Sequence, residues 1–62
     1  MSSYLAKVEM QTDQLIITKD NLNLINVINN PILMNHLEII KFNLDEMIKI
    51  SSNEEKRINS IK

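Results

Sequence analysis

Apolar residues recur at alternating spacings of four and three along the second half of the chain. The stripe comprises Leu33, Leu37, Ile40, Leu44 and Met47, and its frame continues through Ser51 and Glu54 to Ile58 and Ile61. This spacing places side chains along one side of an α-helix. We therefore predict an amphipathic helix that packs along another helix.

A second line of apolar residues widens this surface beyond what a two-helix contact needs. Because a surplus apolar surface is typical of an interface, we predict that this helix binds a protein. The alternative is that the preceding segment, Asn21 to Ile28, covers the surplus within the same chain. The predicted interface comprises Ile32, Leu33, Leu37, Ile39, Ile40, Phe42, Leu44, Met47 and Ile50.

The first part of the chain carries its own heptad pattern. Leu5, Val8, Thr12 and Leu15 lie on one stripe and predict a helix over about residues 3–19, which Ser2 or Ser3 can cap. Lys19 would fall on the same stripe, which indicates a boundary or an exposed end there.

Three interpretations remain for the segment before the single proline. A second, shorter helix over about 21–29, capped by Thr18 or Asp20, would bury the apolar residues Leu22, Ile25 and Ile28. Alternatively the first helix continues through to Ile28. A third interpretation is a β-hairpin in which 15–18 pairs with 22–25, since β-branched residues are frequent there.

The clearest turn is Asn29-Asn30-Pro31, because Asn is a good helix N-cap and Pro is favoured at the first helical position. It predicts a long helix over about 31–50. Ser52-Asn53-Glu54-Glu55 matches a capping box. Either a last short helix begins there or the long helix continues, and we expect residues 52–62 to form a frayed or short helical tail.

Composition supports helices and excludes several ways of stabilising a small chain. The 62 residues include no Gly, one Pro, no Cys and one His, so tight β-turns, disulfides and a structural zinc site are not expected. Such a chain is near the lower limit for independent folding. We expect one small all-α domain, an antiparallel helical hairpin or three-helix unit, that completes a helical bundle by dimerisation or partner docking.

Charge and hydropathy bound the partners. The net charge is −1 with mixed signs, and no apolar run exceeds three residues, so we expect neither a membrane span nor a secretory signal. The absence of Cys fits a cytoplasmic location. The many Asn, Ile and Lys residues have A/T-rich codons, which suggests a low-GC bacterium or its phage.

Candidate chemistry is sparse. His36 lacks an orienting acid or a nucleophile, and the carboxylates form no metal-ligand pattern, so we expect no catalytic residue, no cofactor, no metal and no enzyme activity. Lys41, Lys49 and Lys56 lie along one side of a continuous helix. A nucleic-acid interface would use them, but a solvated side is the simpler account.

Two families show a resemblance. The length and the expected helical hairpin resemble the plasmid repressor-of-primer proteins, which implies a dimeric four-helix bundle that binds paired RNA loops, although their basic surface is missing here. Leu44-Asp45-Glu46-Met47-Ile48 resembles the end of the Ser-Gln-x-Leu-Asp-x-Leu-Ile motif of small phosphatases that act on a sporulation response regulator. Lys41 and Phe42 replace its Ser and Gln, so the resemblance implies a role for Asp45 alone.

These observations favour a small protein-binding regulator, inhibitor or adaptor that acts through its amphipathic helix, and a homo-oligomer is expected. One alternative is a helical phosphatase of aspartyl-phosphate in a response regulator. A second alternative is a dimeric helical regulator that binds RNA or DNA.

Overall fold

The computed structural model describes residues 3–25 and 29–61, which form two helices, α1 (Ser3–Asn23) and α2 (Pro31–Ile61). Tyr4, near the beginning of α1, bonds Glu54 near the end of α2, whereas Lys19, near the end of α1, pairs with Asp45. The helices therefore pack against each other in antiparallel orientation. The described residues contain no strand, and the prediction of an all-α helical hairpin is confirmed.

The heptad stripe of α1 faces α2. Leu5, Val8 and Thr12 are buried, and Leu15 and Leu22 are half-buried. These residues lie three or four apart, so they share one side of the helix. Burial against α2 stabilises this helix, because its intrinsic propensity alone gives marginal helices in water.

The end of α1 differs from the sequence predictions. Lys19 lies half-buried on the stripe and forms an ion pair with Asp45 of α2, so a charged residue there does not interrupt the helix. A helix beginning at residue 21 and a β-hairpin over 15–25 are both wrong, since α1 continues to Asn23. Backbone bonds of 3.1 Å from Leu24 to Asn21 and from Ile25 to Leu22 then end it, and residues 26–28 lie outside the described ranges.

The predicted cap of α2 is present. The side-chain Oδ1 of Asn30 accepts a hydrogen bond of 3.1 Å from the backbone N–H of Leu33, and its carbonyl accepts one of 2.9 Å from Met34. Pro31 occupies the first helical position, where its missing N–H costs nothing. The preceding Asn29 has φ of 68°, in the left-handed region that Asn tolerates better than most residues.

The other end of α2 extends beyond the prediction. The helix does not end near Ile50 but continues without interruption to Ile61, so no short helix begins at the capping box. Ser51 is buried, and Glu55 and Ile58 are half-buried. The first turns of α1 pack against this last part of α2. That contact stabilises the helix beyond Ile50, although its sequence is only weakly amphipathic.

The side of α2 that faces α1 is rotated relative to the predicted stripe. Leu37, Leu44, Ser51 and Ile58 lie on it as expected, one every seven residues. Between them, Lys41, Ile48 and Glu55 are half-buried, whereas Ile40 and Met47 are exposed. About half of the residues on the predicted stripe therefore lie on the side of α2 that faces α1. The others are exposed next to the contact between the helices.

The hairpin is elongated and uneven. With 21 and 31 residues, α1 and α2 are about 32 and 46 Å long. The Lys19–Asp45 pair places Asn23 roughly level with Lys41, so Pro31–Ile39 projects beyond the end of α1. The radius of gyration is 14.9 Å, against about 10.5 Å for a compact domain of this length. In the described ranges neither helix has the length and apolarity that crossing a membrane requires.

Candidate protein-binding surface

The contact between the helices separates two sides of the hairpin that differ in charge. At 100° per residue, one side of the contact carries most of the charged residues and is called the charged face: Glu9, Asp13, Lys19, Asp20, Glu38, Lys41, Asp45, Lys49 and Lys56. The opposite side, called the uncharged face, has no Asp, Glu, Lys or Arg over its central length. It comprises Gln11, Leu15, Thr18, Leu22, Ile32, Leu33, His36, Ile39, Ile40, Asn43, Met47 and Ile50.

A groove lies on the uncharged face between the two helices. Tyr4, Val8 and Leu15 line it from α1, and Met47 and Ile50 line it from α2. Its volume is about 410 Å³, and most of its lining is apolar. Several apolar side chains of a partner would therefore fit between the helices, with Glu54 at one end as the charged residue of the lining.

A buried pair of hydroxyl groups lies beside this groove, and one of its members, Ser51, is among the lining residues. Thr12 donates a hydrogen bond of 2.9 Å to the carbonyl of Val8. Its Oγ1 lies 2.5 Å from the Oγ of Ser51, and because the Thr12 proton is already committed, Ser51 is the donor. A polar pair within an apolar contact favours one alignment of the two helices, since sliding by a turn would separate the two hydroxyls and take from Ser51 its acceptor on α1.

A polar cluster closes one end of the groove. The Tyr4 hydroxyl donates to Glu54 Oε2 at 2.7 Å, and Arg57 donates two bonds of 2.7 and 2.8 Å to the same carboxylate. These bonds, first those of Arg57 and then that of Tyr4, lower the pKa of Glu54 from 4.5 to about 2. The same carboxylate raises the pKa of Tyr4 above its ordinary value, because ionised Tyr4 would lose its bond to Glu54.

The charged face is occupied by ion pairs. Asp45, the residue to which the phosphatase resemblance assigns a role, pairs with Lys19 across the two helices. Lys41 pairs with Glu38 at 3.6 Å, and Lys49 pairs with Glu46 at 3.2 Å. The paired carboxylates partly neutralise the two lysines. The positive potential available to a nucleic acid is therefore lower than the spacing of the lysines alone would suggest.

His36 does not form part of a polar cluster. Its Nδ1 bonds the carbonyl of Ile32 at 2.8 Å, one turn back along the same helix. Across the described ranges, no three His, Cys, Asp or Glu side chains are arranged to hold a metal ion. No family model, no curated protein and no solved structure matches the chain.

The structure separates the nine predicted interface residues by their position relative to α1. Leu44 is 8% exposed and lies in the contact between the helices. Leu37 is half-buried on the same side of α2, within the projection past the end of α1. Phe42 lies on the outer side of α2, away from α1. The other six are exposed on the uncharged face: Ile32, Leu33, Ile39, Ile40, Met47 and Ile50.

Sequence reasoning missed the contribution of α1 to this surface. Tyr4, Gln11 and Leu15 border the same groove as Met47 and Ile50. The available signal was the absence of charge at helical spacing from Gln11 through Leu15 and Thr18 to Leu22. The absence of charge indicates a shared binding surface only when α1 and α2 are known to lie side by side.

Proposed function

We propose that this protein is a small protein-binding regulator, inhibitor or adaptor, and that the uncharged face is its binding surface. One observation carries the proposal: large apolar side chains are exposed side by side, on the one face without charge. Ile40 is 48% exposed, Met47 49% and Ile50 69%. Contiguous apolar surface of this kind on a small helical protein is typical of an interface.

The area available supports the same proposal. The chain has an accessible surface of 4999 Å². A monomeric protein of 7.2 kDa is expected to expose about 4,100 Å². The excess of about 900 Å² is close to the roughly 800 Å² that each partner buries in a standard specific interface.

The geometry suggests how a partner would bind. A helix laid along the groove would contact Leu15 from one side and Met47 and Ile50 from the other, which is the helix-in-groove mode of recognition. Such a partner, in the form of one or two helices, completes a helical bundle around the hairpin. Its affinity derives from apolar burial, so moderate salt is expected to weaken binding little.

Affinity capture with three baits tests this proposal. The wild-type chain, Met47→Glu and Ile17→Glu are compared as tagged baits in extracts of cells that produce the protein naturally, to which untagged chain is added. Ile17 is a matched control, because it is an exposed apolar residue on the outer side of α1. We expect wild type and Ile17→Glu to retain the same protein, and Met47→Glu to lose at least about tenfold of it, since a buried charge opposes association.

Circular dichroism establishes that the three baits are equally helical, so that a loss of binding is attributable to the surface. Equal recovery of the same proteins by all three baits would contradict the proposal. So would the failure of folded wild type to retain any protein, the added chain included.

A further inference from the structure

The uncharged face contains a projection and a groove on the same side of α2. The projection is Pro31–Ile39, which extends past the end of α1 and exposes Ile32 and Ile39 on this face, next to Ile40. The groove lies farther along, where Met47 and Ile50 face α1. Asn43 lies between them, about seven residues or 10 Å from the centre of each.

We propose that the occupant of the uncharged face is a second copy of this chain. This inference rests on the proposed function and names its partner. The two copies pack face to face about a two-fold axis that passes beside Asn43, with the α2 helices antiparallel. In that arrangement the projection of each copy fills the groove of the other. The exposed apolar side chains of both would then be buried in one interface.

Charge distribution supports a second copy over a partner of opposite charge. A two-fold axis places the same surface on both sides of an interface, so any charged group near the axis meets its own like charge. The central length of the uncharged face has no such group. The charged face, with Lys41, Asp45 and Lys49 near its middle, would not offer this advantage.

The excess accessible surface of the whole chain is of the size that such a dimer would bury. The excess exposure of about 900 Å² per chain gives about 1,800 Å² for two copies. Standard stable interfaces bury about 1,600 Å² in total, with a spread of about 400 Å². The excess is therefore of the size that burial against a second copy would remove.

Asn43 acquires a role in this arrangement. It is the polar residue at the centre of an otherwise apolar length of α2, between Ile39, Ile40 and Met47. An amide both donates and accepts hydrogen bonds, so two Asn43 side chains facing each other across the axis satisfy one another. A buried Asn pair of this kind selects one alignment of two helices over shifted alternatives.

Light scattering after size-exclusion chromatography tests the oligomeric state. Over a dilution series, wild type and Ile17→Glu are expected to elute with twice the mass of one chain at high concentration, and Met47→Glu with the mass of one chain. A helical wild-type monomer at every concentration would overturn the second copy as occupant. If the affinity capture nevertheless shows another protein that depends on Met47, the proposed function stands without it.

Disulfide cross-linking tests the position of the axis. The chain has no cysteine, so a single substitution gives one reporter. Under mild oxidation Asn43→Cys is expected to form a covalent dimer nearly completely, because residues beside a two-fold axis come within the reach of a disulfide. Asn53→Cys, exposed on the outer side of α2, is the matched control and should form little covalent dimer. Equal cross-linking of both variants, or none at position 43, would overturn the arrangement.

Discussion

At the scale of single residues, Glu54 connects the two helices at the end of the groove. It accepts a bond from Tyr4 of α1 and two bonds from Arg57, one turn farther along α2. The bidentate geometry with Arg57 favours the ionised carboxylate more than a single neutral donor would. The folded structure therefore favours the ionised form of the Glu54 carboxyl group. By the same linkage, ionisation of Glu54 stabilises the folded state.

The titration of Glu54 follows from these contacts. Its pKa is about 2 in the folded protein, against 4.5 ordinarily, so the folded state favours the charged form. The resulting stabilisation is complete above about pH 4.5 and is lost as the pH falls toward 2. We expect the carboxyl carbon of Glu54, followed by NMR, to titrate with a midpoint near 2.

Two substitutions separate the causes of this shift. Arg57→Gln should move the midpoint upward toward 4.5, and Tyr4→Phe should move it by less, since Arg57 contributes the largest effect. A wild-type midpoint near 4.5, or no change in either variant, would show that the cluster does not form in solution.

At the scale of helices, the beginning of α2 depends on one side chain. The first N–H groups of a helix have no partner within it, and Asn30 satisfies that of Leu33. The residue pair Asn30-Pro31 therefore fixes where α2 starts, and Asn29 just before it has a left-handed backbone conformation. No comparable cap side chain is seen within the described ranges at the end of α1, where backbone bonds alone close the last turn.

Removal of this cap has a predictable cost. Asn30→Ala should lower the free energy of unfolding by about 1 kcal/mol, because the N–H of Leu33 loses its acceptor. Asn35→Ala is the matched control, since the same substitution at an exposed position inside α2 should be neutral or slightly stabilising. Urea unfolding followed by circular dichroism measures both. An equal effect of the two substitutions would argue against the cap.

At the scale of the molecule, the contact between α1 and α2 contains little apolar material. In the described ranges only Leu5, Val8 and Leu44 are buried among the apolar residues. Buried apolar area is the main favourable contribution to folding, so two helices alone leave a small margin. Completion of a bundle would add a second contact of similar kind, in line with the proposed function.

Leu44 is the critical residue at this scale. Leu44→Ala should cost about 2–5 kcal/mol, because it removes the one buried apolar side chain of α2, and this approaches the total stability of so small a chain. We expect Leu44→Ala to unfold or to dissociate, and Lys49→Ala, which changes a surface ion pair, to remain intact. Circular dichroism and light scattering check both. A fully helical Leu44→Ala protein of unchanged mass would contradict this assignment.

The helical class, the stripe of α1 and the beginning of α2 could be predicted from the amino-acid sequence. These features are local: Leu5, Val8, Thr12 and Leu15 repeat at the helical period, and Asn30-Pro31 supplies a cap within four residues of the N–H it serves. Local patterns can be read without knowledge of the fold, because their physical cause lies within one or two helical turns.

The end of α1, the length of α2 and the side of α2 that meets α1 depend on contacts between the two helices. Lys19 continues the stripe because Asp45 faces it from the other helix. Ser51 can be buried because Thr12 accepts a hydrogen bond from its hydroxyl group. The apolar stripe of α2 is wider than one neighbouring helix can cover, so periodicity could not distinguish Lys41 and Ile48, which lie beside α1, from Ile40 and Met47, which remain exposed. Contacts between residues that are distant in the sequence decide which of these side chains are buried.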